Sequence, residues 1–170
     1  MEFTDVIKNR YSCKKFNDTP VSAEALAAIL EAGRIAPTAQ NRQEQRIYVL
    51  QSPEALAAFD AASRCRYNAS TVIVVAFDTA NVYTYPGGTH SSGIEDASIV
   101  ATHMVLAAAN EGVDNCWINA LDPAKLKEGL SLPAGEEILM ALVIGHAAEG
   151  TGPLPKHTDR KPLAETVTYR

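Results

Sequence analysis

The chain has 170 residues and a mass of 18.2 kDa, the size of one compact domain and too little for two full ones. Hydrophobic residues at 46% and charged residues at 21% supply a core and exclude a disordered ground state. Twenty acidic residues against fifteen Lys and Arg give a net charge of -5, which excludes a partner gripped through many phosphates, nucleic acid above all.

The first residues carry Glu2 and Asp5 where an export signal needs basic residues and an apolar run, so no export signal is expected. Phe3, Val6 and Ile7 fit an amphipathic turn or two of helix that stops between Arg10 and Phe16. Leu26, Ile29, Leu30 and Ile35 recur at helical spacing, with Ser22 as N-cap and Pro37 as the stop. After a polar loop, Ile47 to Leu50 reads as a strand, and Ser52-Pro53-Glu54 opens a capped helix. Thr71 to Phe77 is a continuous apolar run, which predicts a central strand buried on both faces.

Residues 78–91 contain Asn81, Pro86, Gly87 and Gly88 and read as a long mobile loop. Ser92 and Glu95 match a capping box, opening an almost wholly apolar helix to about Glu111 with Gly112 as its stop. That helix carries Glu95, Asp96 and His103, so it is too short and too polar to span a bilayer. Cys116 to Ile118 predicts a strand, Asp122-Pro123 a short helix, and Ile138 to Ile144 a second buried strand ending at Gly145. From Gly150 the composition turns to Gly and Pro, leaving a tail suited to wrapping another surface. Strands alternating with helices suggest, by pattern alone, a parallel α/β sheet.

Cys13, Cys65 and Cys116 form neither a Cys-x-x-Cys pair nor a zinc pattern, which suits a reducing cytoplasm. The four His, at 90, 103, 146 and 157, have no spacing that puts two on one helical face, so no metal site is expected. The dinucleotide, P-loop, zincin and hydrolase signatures are also missing. Arg10, Ser12 and Lys14 alternate, so an extended backbone would project all three from one face. A guanidinium, a hydroxyl and an ammonium together form an anion cradle. The residues alone equally allow a solvated basic loop.

Four blocks decide between these readings. Arg10-x-Ser12-x-Lys14-x-Phe16, the loop Ala36-Pro-Thr-Ala-Gln-Asn41-Arg-Gln43, the stretch from Asp96 to Trp117, and Asp159-Arg-Lys-Pro-Leu163 occur in order across nearly the whole chain. Together they resemble the nitroreductase-like FMN flavoprotein family. The resemblance implies an α+β fold over residues 1–170, with a central mixed, mainly antiparallel sheet flanked by helices. It further implies a homodimer with a swapped C-terminal tail and FMN at the interface.

By that resemblance Arg10, Ser12 and Arg160 would bind the FMN phosphate, with Tyr11 beside them and Lys161 as a further candidate. Lys14 would sit near flavin N1 and O2, where reduction places negative charge, and is the residue given a catalytic role. Pro37, Thr38, Ala39, Asn41 and Gln43 would reach the flavin from the second subunit. Asn119 and Ala120 would present backbone N–H groups to flavin N5. Trp117 reads as a core aromatic beside its strand. The implied activity is ping-pong hydride transfer from NAD(P)H, through FMN, to a nitroaromatic, quinone or activated alkene. Two other functions fit the same residues: an FMN carrier or sensor with little turnover, and a flavin-free module for a phosphate-bearing ligand. The chain departs from the family at Glu44-Gln45, where Pro and an aromatic are usual, and at His103, where an Asn is common. It is also short for the family, leaving little material to roof a substrate channel.

Overall fold

The computed structural model describes residues 2–170. Its elements follow the local signals closely: α1 (Phe3–Asn9), α2 (Ala23–Arg34), β1 (Gln45–Leu50), α3 (Pro53–Ala62), β2 (Thr71–Asp78), α4 (Gly93–Asn110), β3 (Asp114–Ile118), α5 (Pro123–Gly129), β4 (Glu136–Gly145) and α6 (Leu163–Thr166). Three helix starts use the side-chain caps read from the sequence. Ser22 Oγ accepts from the Ala25 N–H at 3.1 Å, Ser52 Oγ from Ala55 at 3.2 Å, and Asp122 from Ala124 and Lys125. Gly112, with φ of +69°, ends the turn after α4 in the left-handed conformation that glycine adopts without strain.

The strands form one antiparallel sheet in the order β1-β2-β4-β3. The parallel arrangement suggested by element alternation is therefore corrected, and the antiparallel one holds. The parallel element is a single bridge from Ser12 to Asn115, which lays residues 11–13 beside the outer edge of β3. Alternation along β2 and β4 builds two cores. Ile73, Val75, Met140, Leu142 and Ile144 face α2 and α4, whereas Val72, Val74, Ala141 and Val143 face α3, α5 and the segment holding Cys13 and Phe16. With helices on both faces, β2 is buried at every position from Thr71 to Phe77, as its unbroken apolar run requires. A register shift between Val75 and Ala76 leaves Leu139 without a partner on β2.

One local expectation is corrected. Ser92 stands at the N-cap position of α4, but its side chain does not cap the helix: its backbone is already helical, and its hydroxyl donates to Glu44 Oε1 while accepting from the Tyr83 N–H. Glu95 accordingly pairs with the Tyr85 hydroxyl rather than with the helix start. The segment between β2 and α4 is the expected loop, folded back on itself by a Thr84–Ser91 bridge, a Tyr85 N–H to His90 carbonyl bond at 3.0 Å, and Tyr83 edge-on to Tyr85. Among the described residues no helix is long and apolar enough to cross a membrane.

Candidate functional site

Residues 10–16 leave α1 and run along β3, with the Cys13 N–H donating to the Asn115 carbonyl at 2.9 Å. Cys13 points into the core and is fully buried, whereas Ser12 is half-buried and Lys14 exposed. On the adjoining β3, burial holds the Cys116 thiol above its ordinary range, against the lowering influence of Lys14, Ser12 and Arg10. Arg10 and Ser12 line one cavity, and Lys14 follows them on the same segment and turns to Tyr67.

Lys14 Nζ donates to the Tyr67 hydroxyl at 3.2 Å and lies 4.9 Å from the Tyr67 ring centroid. The hydrogen bond to that hydroxyl raises the Lys14 pKa, so the ammonium stays charged at neutral pH. The neighbouring Cys65 thiol, and burial after it, raise the Tyr67 pKa in turn. Tyr67 is not among the residues marked by the sequence, and Cys65 is marked there only as one of three unpaired cysteines. The only signal there is Tyr67-Asn68, both at positive φ (54° and 68°), a tight turn that the polar run after α3 does not betray.

Arg10, Tyr11 and Ser12 line a cavity of about 210 Å³ together with Leu154, Lys156 and His157 from the tail. His157 Nε2 donates to the Lys8 carbonyl at 3.2 Å, fixing the tail against α1 of its own chain. Lys156 and His157 are cavity residues that sequence reasoning missed, although they stand just before the basic pair it singled out. Arg160 and Lys161 do not line the cavity: the Arg160 guanidinium donates to the His157 and Asp159 carbonyls, and Lys161 pairs with Glu165 at 3.7 Å. Behind the cavity, burial and the adjacent Asp114 carboxylate hold the Tyr11 phenol protonated far above its ordinary value.

Asn119 and Ala120 follow β3 at the exposed end of the same edge. The Asn119 side chain accepts from Trp117 Nε1 at 2.8 Å, and the Ala120 carbonyl accepts from Ser63 Oγ at 2.7 Å. Among the described residues neither backbone N–H has a protein acceptor, so both are left for solvent or a ligand. Trp117 packs half-buried against the core on the α4 side, the role read for it.

The loop from Pro37 to Gln43 leaves α2 on the other face of the sheet and does not join this group. Pro37, Asn41 and Gln43 are exposed, and Gln40, Asn41 and Gln43 have φ of 54°, 55° and 52°. Left-handed backbone at non-glycine residues costs on the order of 1 kcal/mol each and persists only where neighbours enforce it. Thr38 Oγ1 accepts from the Gln43 N–H at 3.0 Å, Asn81 Nδ2 donates to the Arg42 carbonyl at 2.8 Å, and the Ala39 N–H donates to Asp96 Oδ1 at 3.0 Å. Asp96 and the adjoining Glu44 are buried carboxyl groups.

A cofactor with a phosphate and a polar aromatic ring fits these residues. Arg10, Lys156 and His157 with Ser12 suit the phosphate, and Lys14 with two unspent N–H groups suits an electron-poor heterocycle. Among the described residues no group of three or more His, Cys, Asp or Glu side chains is placed to hold a metal ion.

The Nitroreductase family model matches residues 7–70 and 65–146. The structure is similar to the crystal structure of a nitroreductase family protein of Clostridium difficile 630, with a TM-score of 0.93 and 35% identity over 99% of this chain and 98% of that one. It is also similar to a Desulfovibrio desulfuricans protein crystallised in complex with FMN (TM-score 0.84, 28% identity, 100% and 97% covered). In sequence, the NADPH-dependent oxidoreductase of Staphylococcus epidermidis is 24% identical over 169 residues, or 89% of this chain and 67% of that one.

Proposed function

The chain belongs to the nitroreductase family, and on that premise we propose that it is a single FMN-binding domain catalysing NAD(P)H-dependent reduction of a small electron-poor acceptor: a nitroaromatic, a quinone or an activated alkene. The observation that carries this reading is the cavity where Arg10 and Ser12 meet Lys156 and His157, beside Lys14 and the β3 edge that ends in the free N–H groups of Asn119 and Ala120. When bound, FMN supplies the hydride-accepting and hydride-donating centre that the side chains lack.

The chain's own residues bind, orient and tune. Arg10 and Ser12 hold the phosphate, a fork of N–H donors and a hydroxyl against a group near charge −2. Tyr11 flanks them, and Arg160 and Lys161 join when the tail exchanges its internal contacts for the phosphate. Lys14 places a permanent cation where two-electron reduction brings negative charge, which favours reduction and raises the potential. Asn119 and Ala120 offer N–H donors at the reacting edge. None of these groups is an acid poised near neutral pH, so solvent supplies the protons the acceptor takes up.

Pro37, Thr38, Ala39, Asn41 and Gln43 face away from the Arg10 group, and we assign them to the cofactor site of a second copy in a homodimer. Two sites would then lie at the interface, each completed by both chains. The test is an absorbance spectrum of protein supplemented with FMN and desalted, followed anaerobically by NADH and then NADPH. Flavin bands that survive desalting and bleach within seconds support the reductase. Bands that survive and do not bleach leave a carrier or another donor, and a colourless protein overturns the flavin reading.

A further inference from the structure

The strained 37–43 loop is held at its base by two carboxyl groups and by no ion pair among the described residues. Glu44 is completely buried and Asp96 is 3% exposed. Each spends one oxygen on a donor: Glu44 Oε1 accepts from Ser92 Oγ at 3.1 Å, and Asp96 Oδ1 from the Ala39 N–H at 3.0 Å. The other two oxygens, Glu44 Oε2 and Asp96 Oδ2, are buried with no donor from any other group. Ser92 joins the two residues, its hydroxyl donating to Glu44 and its carbonyl accepting from the Asp96 N–H at 2.7 Å; two acceptors so placed form a bond only when one of them carries a proton, and two buried carboxylates repel without relief from solvent.

The surrounding charges give no such relief. Arg46 donates to the Glu44 backbone carbonyl, but its charge is matched by Asp78 at 3.0 Å and Glu136 at 3.8 Å. Arg42 is held by Gln40 and lies 5.9 Å from the Tyr83 ring centroid. On the turn over α4, the Tyr85 phenol bonds Glu95 and His90 is exposed; on α2, Arg34 is paired with Glu31. Burial first, and the contact with Asp96 second, raise the Glu44 pKa above the ordinary carboxylate range, which puts the shared proton on Glu44.

We propose that Glu44 and Asp96 are positioning residues: a proton shared between their carboxyl groups fastens the 37–43 loop to the start of α4, and losing it as pH rises frees the loop and weakens its grip on the cofactor. Acid and carboxylate become two carboxylates and one proton released to solvent, with no other bond made or broken. The repelled Asp96 then leaves the Ala39 N–H, and the left-handed residues of the loop relax. The link to the cofactor rests on the proposed role of Asn41 and Gln43; the clamp itself does not.

Glu44→Gln is the informative variant, because its amide donates to Asp96 without a titrating proton and keeps an acceptor for Ser92. Asp96→Asn does the same from the other side. Three readouts are followed upward from the ordinary carboxylate pKa of about 4: thermal unfolding of the apoprotein, the rate of tryptic cleavage after Arg42 relative to cleavage after Arg160, and FMN affinity by fluorescence quenching. The wild type should lose stability as pH rises above that value, because the folded state holds a proton that the unfolded state has released. Its relative Arg42 cleavage should rise, and its FMN affinity fall, by about tenfold. Both amide variants should flatten this part of all three profiles. An infrared carbonyl band of a protonated carboxylic acid should persist in the wild type above the ordinary carboxylate range and be absent in Glu44→Gln. Wild-type slopes that persist in both variants, or no such band, would overturn the clamp. Flattened unfolding and cleavage profiles in a protein that binds no FMN would support the clamp and overturn the flavin reading instead.

Discussion

Lys14 shows how a single side chain was legible in part. Its alternation with Arg10 and Ser12 marks it in the sequence, but its partner Tyr67 lies across a turn that no local pattern connects to it. Replacing Lys14 with Met should lower the flavin midpoint potential by roughly 30 mV for each tenfold loss of preference for the two-electron reduced state, measured by redox titration. Arg10→Ala should instead weaken FMN binding about 10- to 100-fold, the worth of hydrogen bonds to a charged group, with little change in potential. Unchanged affinity would remove Arg10 from the phosphate site. Tyr48 was read only as a strand residue, yet its hydroxyl bonds the largely buried Glu136 carboxylate. Burial first, then that bond, push its pKa from 10.0 to about 12. The folded state therefore keeps a proton that the unfolded state releases, and this group's contribution to stability falls as pH rises from its ordinary value toward about 12. Tyr48→Phe should remove one late-titrating phenol from the ultraviolet titration and cost about 1–2 kcal/mol in urea denaturation near neutral pH.

Among the elements, helix α4 shows where local rules stop. Its length, its apolar character and its glycine stop were all readable, because they depend on residues a few positions apart. Its start was readable in position but not in its bonding, because the Ser92 hydroxyl is drawn to Glu44, the residue before β1. Gly93 is needed there for a tertiary reason: a Cβ would stand 2.4 Å from Cε2 of Phe77 on β2. An aromatic ring on a buried central strand cannot give way as the end of a flexible chain can. Gly93→Ala should therefore destabilise the protein by about 1–3 kcal/mol, seen as a lower urea midpoint with an unchanged slope. Ser22→Ala, which removes a cap on an exposed helix start, should cost about 1 kcal/mol.

For the whole molecule, the end of the tail and the loop share a property: Arg160 and Lys161 in one and Asn41 and Gln43 in the other are assigned to the cofactor, and none of them lines the Arg10 cavity of its own chain. Arg160 is tied up with nearby carbonyls, and Asn41 and Gln43 lie beyond the sheet. A homodimer resolves both, so sedimentation should report twice the chain mass, with FMN binding at one site per chain. Removing residues 159–170, all exposed, should leave the thermal midpoint of the apoprotein nearly unchanged while weakening FMN retention by about tenfold or more. A shortened protein that holds FMN as tightly as the full chain would exclude Arg160 and Lys161 from the site. The sequence by itself determined where helices and strands form and which residues they bury, because caps, turns and hydrophobic periods act over a few neighbours. Order and direction in the sheet, β1-β2-β4-β3 and antiparallel, followed from pairing between distant segments, which alternation alone misjudged. The carboxyl pair of Glu44 and Asp96 was decided the same way. A carboxylate at the end of a polar loop is ordinary on any surface, and only packing that seals it from water beside a second one gives its proton a structural role.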